Sequence, residues 1–143
     1  AQEELEHFDQ VLSIIKNRGC YLEPLQSPDY GAVLAKAIRK SEPNRMLDSF
    51  LVAGLIEARS HERMALLSEH CVDDELRGLY ASLLKSEARH FGQYWILCEQ
   101  RWDRQLIVSR LDELAVIEVE ALTGSLQNPS EVRMHSVGVE AIS

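Results

Sequence analysis

The sequence predicts an all-α protein, an antiparallel helical bundle, on three observations. Apolar residues recur every three or four positions over long stretches, the signature of amphipathic helices. Only 7 Gly and 4 Pro occur in 143 residues, too few turns for a many-stranded β fold. The breaks between the periodic stretches are short, which makes consecutive helices antiparallel neighbours.

The first helix is expected from near residue 2 to Arg18, with Leu5, Phe8, Val11, Leu12 and Ile15 at helical spacing and Gly19 as its stop. Pro24 and Pro28 break the chain between residues 20 and 29. Asp29 can then cap a shorter helix running through Ala32, Val33, Ala37 and Ile38. Ser41-Glu42-Pro43 ends that helix and starts a long one from Arg45 to about His70, since Pro is favoured in the first helical turn. Asp73 and Asp74 cap a fourth helix reaching to about Trp102. A fifth follows Asp103, carries Leu106, Ile107, Leu111, Leu114 and Ile117, and stops at Gly124. Residues 125–143, with Asn128-Pro129 and Gly138, are expected to form an irregular tail.

One domain spanning residues 1–143 accommodates all of this, at a size that buries roughly two-thirds of the unfolded surface. The formal net charge of −8 gives no global attraction to phosphate, although a local basic patch is compatible with it. No apolar run approaches the roughly 20 residues that a membrane helix needs, and no signal-like segment opens the chain, so a soluble cytoplasmic protein is expected. Cys20, Cys71 and Cys98 are widely spaced and form no Cys-x-x-Cys pair. They read as three buried thiols in a reducing compartment rather than as a disulfide or zinc framework.

The chemistry lies in a repeat. Glu4-Leu5-Glu6-His7-Phe8-Asp9-Gln10 matches Glu87-Ala88-Arg89-His90-Phe91-Gly92-Gln93 at four of seven positions and an offset of 83 residues. A single Glu-x-x-His on a helix is usually a solvated pair, but two copies sharing Phe and Gln are specific. Residues three apart share a helix face, so carboxylate and imidazole can converge on one point. Glu87 sits on a stripe with Tyr80, Leu83, Leu84, Phe91 and Tyr94, and Glu4 on one with Phe8 and Val11. Glu57, on a face with Phe50, Ala53, Gly54 and Met64, is a third carboxylate directed at the core. A core-facing carboxylate needs a partner. Three Glu and two His form an oxygen-rich donor set suited to iron or manganese.

Glu62 rivals Glu57 on the same helix, but Arg59 and Glu69 make its face more polar. His61 reads as a polar surface residue or a neighbour of the ligands, and His70 and His135 carry no assigned chemistry. Glu118 and Glu120 on the fifth helix are expected at the solvent surface.

Two Glu-x-x-His helices, each joined by another helix offering a Glu, resemble the ferritin-like di-iron carboxylate bundles. The strings Leu55-Ile56-Glu57-Ala58-Arg59-Ser60-His61-Glu62-Arg63, Ser86-Glu87-Ala88-Arg89-His90-Phe91 and Arg133-Met134-His135-Ser136 narrow the resemblance to the MiaE-type tRNA hydroxylases. The resemblance implies a ferritin-like antiparallel helical bundle and two non-haem iron ions held by Glu4, His7, Glu57, Glu87 and His90. It further implies a monooxygenase that hydroxylates the isopentenyl side chain of a hypermodified adenosine in tRNA, with dioxygen as oxidant and an external reductase as electron donor. The chain departs from the family pattern at His61, where a Cys is expected, and in lacking a counterpart of the family's first helix with its fourth Glu. An N-terminally incomplete copy of a longer protein, prone to self-association along the first helix, is therefore expected. The alternatives are a di-iron oxidase of another small substrate and an inactive, metal-poor interaction protein. For RNA contact the densest basic stretch is Lys36, Arg39, Lys40 and Arg45, and the candidate stacking aromatics are Tyr21, Tyr30 and Trp95.

Overall fold

Five helices make up the described part of the chain: α1 (Gln2–Asn17), α2 (Asp29–Ala37), α3 (Asn44–His70), α4 (Asp74–Glu99) and α5 (Arg104–Gly124). The computed structural model describes residues 2–22 and 29–124, except for the side chains of 86–91 and 124. The tail 125–143, including His135, lies outside the described residues, as do Pro24 and Pro28.

Each helix end has a local cause. Gly19 closes α1 in the left-handed region at φ 69°, which lets the Cys20 amide reach back to the Ile15 carbonyl at 3.0 Å. At the start of α3 the Glu42 carboxylate accepts from the Met46 amide at 3.1 Å, occupying a donor that the first turn leaves unpaired. The Asp73 side chain caps α4 by accepting from the Leu76 amide at 3.0 Å. That helix ends three residues before the expected Trp102, because the Arg101 and Trp102 amides both turn onto the Cys98 carbonyl.

Cross-helix contacts set the directions. Phe50 meets Tyr94 with ring centroids 6.4 Å apart, and Arg101 reaches Met46, so α3 and α4 run antiparallel. The guanidinium of Arg18 pairs with Asp73 at 2.8 Å and Glu75 at 2.6 Å, tying the end of α1 to the start of α4. Arg110 binds Asp48 and Arg59 binds Glu118, so α5 runs alongside α3 in the same sense. Tyr30 meets Glu118 and the Ala37 carbonyl meets Arg110, so α2 runs against α5. Consecutive helices therefore alternate in direction, as the short connections require.

The core is built from Tyr30, Leu34, Leu47, Leu51, Val52, Cys98, Ile107, Leu114, Ala121 and Leu122, contributed by α2, α3, α4 and α5. α1 contributes no buried residue. Leu5 is 61% and Phe8 51% exposed, whereas Leu12, Ile14 and Ile15 are half-buried; among the described residues α1 packs chiefly against α4. Of the three cysteines only Cys98 is buried; Cys71 is half-buried and Cys20 exposed, contrary to the expectation of three buried thiols. Cys20 and Cys71 both lie just beyond helix ends, which keeps them from the core. No described helix is long and apolar enough to cross a membrane.

Candidate metal centre

Two registers bring the expected ligand segments together. A Cβ placed on Gly54 of α3 would lie 3.6 Å from the Tyr94 Cβ on α4. Glu57 is three residues onward along α3 and His90 four residues back along α4. Each step is about one turn in the same direction, so the backbones of Glu57 and His90 stand at one height. On the other side, Gln10 and Ser82 line a shared groove of about 480 Å³ between α1 and α4, together with Asp9, Ser13, Ile14 and Leu79. Extending that antiparallel register by some six residues carries α1 to Glu4 and α4 to the stretch holding Glu87 and His90. Three helices thus present their Glu and Glu-x-x-His segments at the same level of the bundle.

Within α1 the His7 Nδ1 lies 3.7 Å from the Glu4 Oε2, the one-turn convergence that Glu-x-x-His spacing permits. His7 is 18% exposed in its side chain and Glu4 57%, so Glu4 does not face a core as the stripe suggested. The physical reason is the open outer flank of α1. Glu57 is half-buried, whereas its rival Glu62 is 56% exposed and binds Arg59. The side chains of Glu87 and His90 lie outside the described residues. Among the described residues no group of three or more His, Cys, Asp and Glu side chains is close enough to hold a metal ion. The donors that are described, a carboxylate–imidazole pair and a half-buried carboxylate at its level, are of the oxygen-rich kind that suits iron or manganese.

Behind Glu57, α3 is anchored by a polar network that spacing did not single out. Glu118, expected at the surface, is 5% exposed. Its carboxylate accepts from the buried Tyr30 hydroxyl at 2.8 Å and from the Arg59 Nε at 3.2 Å. Burial would lower the basicity of Arg59, but the Glu118 carboxylate outweighs it and holds the guanidinium charged. Burial, reinforced by Glu118, pushes the Tyr30 phenol well above its ordinary value. Arg59 is two residues from Glu57 and hence on nearly the opposite side of α3. The network therefore fixes the roll of α3 about its axis, and with it the direction of Glu57.

A second buried acid, Asp48, is 0% exposed and stands between two arginines. Arg39 donates to it from its backbone amide at 2.8 Å and from its side chain at 2.7 and 3.0 Å. Arg110 donates at 2.9 and 3.0 Å and also binds the Ala37 carbonyl. Burial alone would raise the carboxyl, but these hydrogen bonds prevail and hold it at about 2. Asp48 clamps α2, α3 and α5 together and has no free oxygen lone pair directed at the candidate centre. Of the aromatics considered for base stacking, Tyr30 is buried in this core and unavailable, Trp95 is half-buried, and Tyr21 is 91% exposed.

Comparison with known proteins places these observations in a family. The family profile described as tRNA-(MS[2]IO[6]A)-hydroxylase (MiaE) matches residues 1–136. A Pseudomonas putida protein named tRNA 2-(methylsulfanyl)-N(6)-isopentenyladenosine(37) hydroxylase is 39% identical over 137 residues, covering 95% of this chain and 64% of that protein. A Salmonella typhimurium protein of the same name is 35% identical over 140 residues, covering 98% of this chain and 50% of that one. The chain thus spans from half to just under two thirds of the length of these curated relatives. A solved structure from Synechococcus, described as Protein 43 with aldehyde deformylating oxygenase activity, superposes with a TM-score of 0.90 at 69% identity over 99% of this chain and 71% of that one. The fold is a ferritin-like helical bundle.

Proposed function

Because the chain belongs to the tRNA-hydroxylase (MiaE) family, we propose that it acts in the oxygen-dependent hydroxylation of the isopentenyl side chain of a hypermodified adenosine in tRNA. In this reading Glu4, His7, Glu57, Glu87 and His90 hold two iron ions. The observation that carries it is the common level of the repeated Glu-x-x-His segments on α1 and α4 and of Glu57 on α3.

Held by these residues, a pair of ferrous ions would supply electrons for the use of dioxygen, with one oxygen atom going to the product and the other to water. The residues of this chain have a positioning task. The Glu118–Arg59–Tyr30 network holds the roll of α3, and the close Gly54–Tyr94 approach holds its register against α4. Together they keep Glu57 directed at the helix that carries the second motif. An external reductase reloads the centre between turnovers, and a tRNA substrate implies a cytoplasmic setting.

A second reading is favoured by one specific observation, the 69% identity to a protein described as having aldehyde deformylating oxygenase activity. It uses the same ligands on a small apolar aldehyde. The experiment that decides presents the full-length, iron-loaded protein with dioxygen and a chemical reductant to two substrates, isopentenylated tRNA and an aliphatic aldehyde. Mass spectrometry of nucleosides from the digested tRNA should show the isopentenyladenosine gaining one oxygen atom. Unchanged nucleosides with formate released from the aldehyde would overturn the tRNA reading in favour of the second.

A further inference from the structure

The net charge of −8 conceals a polarity along the bundle. One end is acidic, with Glu69, Asp73, Asp74 and Glu75 around the α3–α4 connection. The other collects cations from two distant parts of the chain. Between residues 36 and 45 there are four basic residues against one acid, Glu42. The structure withdraws Arg39 from this set, since its side chain and amide are committed to Asp48. Arg45 is paired with Glu42 at 2.8 Å. In exchange the α4–α5 turn adds Arg101, exposed, whose Nη1 reaches the Met46 Sδ at 3.6 Å and so stands beside Arg45. Arg104, 78% exposed, lies over the Trp95 ring at 5.9 Å, with Glu99 at 3.6 Å.

Lys36, Lys40 and Arg101 are exposed and have no carboxylate partner among the described residues. The one buried acid nearby, Asp48, is neutralised internally by Arg39 and Arg110 and subtracts nothing from the local positive field. We propose that this end of the bundle, through Lys36, Lys40 and Arg101, docks the phosphate backbone of a folded RNA. The proposal rests on the tRNA reading and adds to it the surface that receives the substrate. Arg45 lies about 18 Å along α3 from Glu57, so the surface serves nucleotides flanking the reacting base rather than the base itself. Unpaired cations spread over two chain segments suit several phosphates in succession, and each phosphate neutralised releases counterions. An acidic protein partner would use the same charges, and the test separates the two.

Fluorescence anisotropy of a labelled RNA stem-loop is measured on the full-length protein over a range of KCl concentrations. Replacing Lys36→Ala, Lys40→Ala and Arg101→Ala together should weaken binding about tenfold or more near 0.1 M salt and flatten the slope of log K against log salt by about 2 to 3. Replacing Lys16→Ala and Lys85→Ala, exposed cations elsewhere, should leave the slope unchanged. An unaltered slope in the triple variant of a protein that still hydroxylates tRNA overturns the surface and leaves the activity standing. Absence of RNA binding by the wild type counts against both. Polyglutamate competing as strongly as RNA for the same three residues would reassign the surface to an acidic protein and likewise overturn the proposal.

Discussion

Gly54 and Tyr94 pack backbone against side chain across α3 and α4, so closely that a Cβ on Gly54 would sit 3.6 Å from that of Tyr94. This approach sets the register that brings Glu57 level with His90. A methyl group fits at that distance in ordinary van der Waals contact, and Ala is the better helix former. Gly54→Ala should therefore leave stability unchanged or raise it by up to about 1 kcal/mol. Gly54→Leu should push the helices apart and cost about 1–3 kcal/mol. Urea unfolding midpoints of the two variants check this; equal stability of both would show that the approach is not close in solution.

Asp48 should contribute to the acid sensitivity of the fold. Its folded-state pKa, about 2, lies below the ordinary value of 3.8. A depressed carboxylate contributes stability that is complete above the unfolded pKa and is lost as pH falls through the folded one. The contribution of Asp48 is thus present above about pH 4 and lost on the way to pH 2. Asp48→Asn should cost about 3–5 kcal/mol at pH 7, because it leaves Arg39 and Arg110 without their counter-charge. It should also flatten the pH dependence of the melting temperature between pH 4 and 2. A variant that melts like the wild type at pH 7 would contradict the clamp.

How far the sequence reached can be judged from particular residues. Helix periodicity placed all five described helices within three residues of their ends, because apolar spacing, Gly19 and the Asp73 cap act locally. On α5, Glu118, expected at the surface, is buried, and Leu106 is 46% exposed. The valines at 108, 116 and 119 are exposed while Ile107, Leu114, Glu118 and Ala121 are buried, so apolarity alone does not mark the inner face of this helix. Glu118 does share a stripe with Leu111, Leu114 and Ala121, the same argument that singled out Glu57, and that spacing was the available signal. Asp48 is flanked by Leu51, Val52 and Leu55 in the same way. Its two arginine partners lie 9 and 62 residues away, Arg39 in the α2–α3 connection and Arg110 on α5, and no local pattern announces them. The exposure of Glu4 and Phe8 depends on what lies against α1, which periodicity does not encode.

Tyr30 and Glu118 should be energetically coupled. Tyr30→Phe leaves Glu118 bound to Arg59 and should cost about 1–2 kcal/mol, whereas Glu118→Gln leaves Arg59 with only its exposed partner Glu62 and should cost about 2–3 kcal/mol. The double variant should be less destabilised than the sum of the two. Strict additivity in chemical denaturation would show that the two groups do not share a bond in solution. If the network holds α3 in its roll, Tyr30→Phe should also weaken iron retention while leaving Glu57 itself in place.

The central claim is that the repeated Glu-x-x-His segments and Glu57 serve one oxygen-activating centre. The direct measurement incubates isopentenylated tRNA with iron-loaded full-length protein under ¹⁸O-labelled dioxygen, beside Glu57→Ala and Glu87→Ala variants of verified helical content. One ¹⁸O atom is expected in the hydroxylated nucleoside from the wild type and none from either variant. Oxygen derived from water, or label incorporation by the variants at the wild-type level, would contradict that claim.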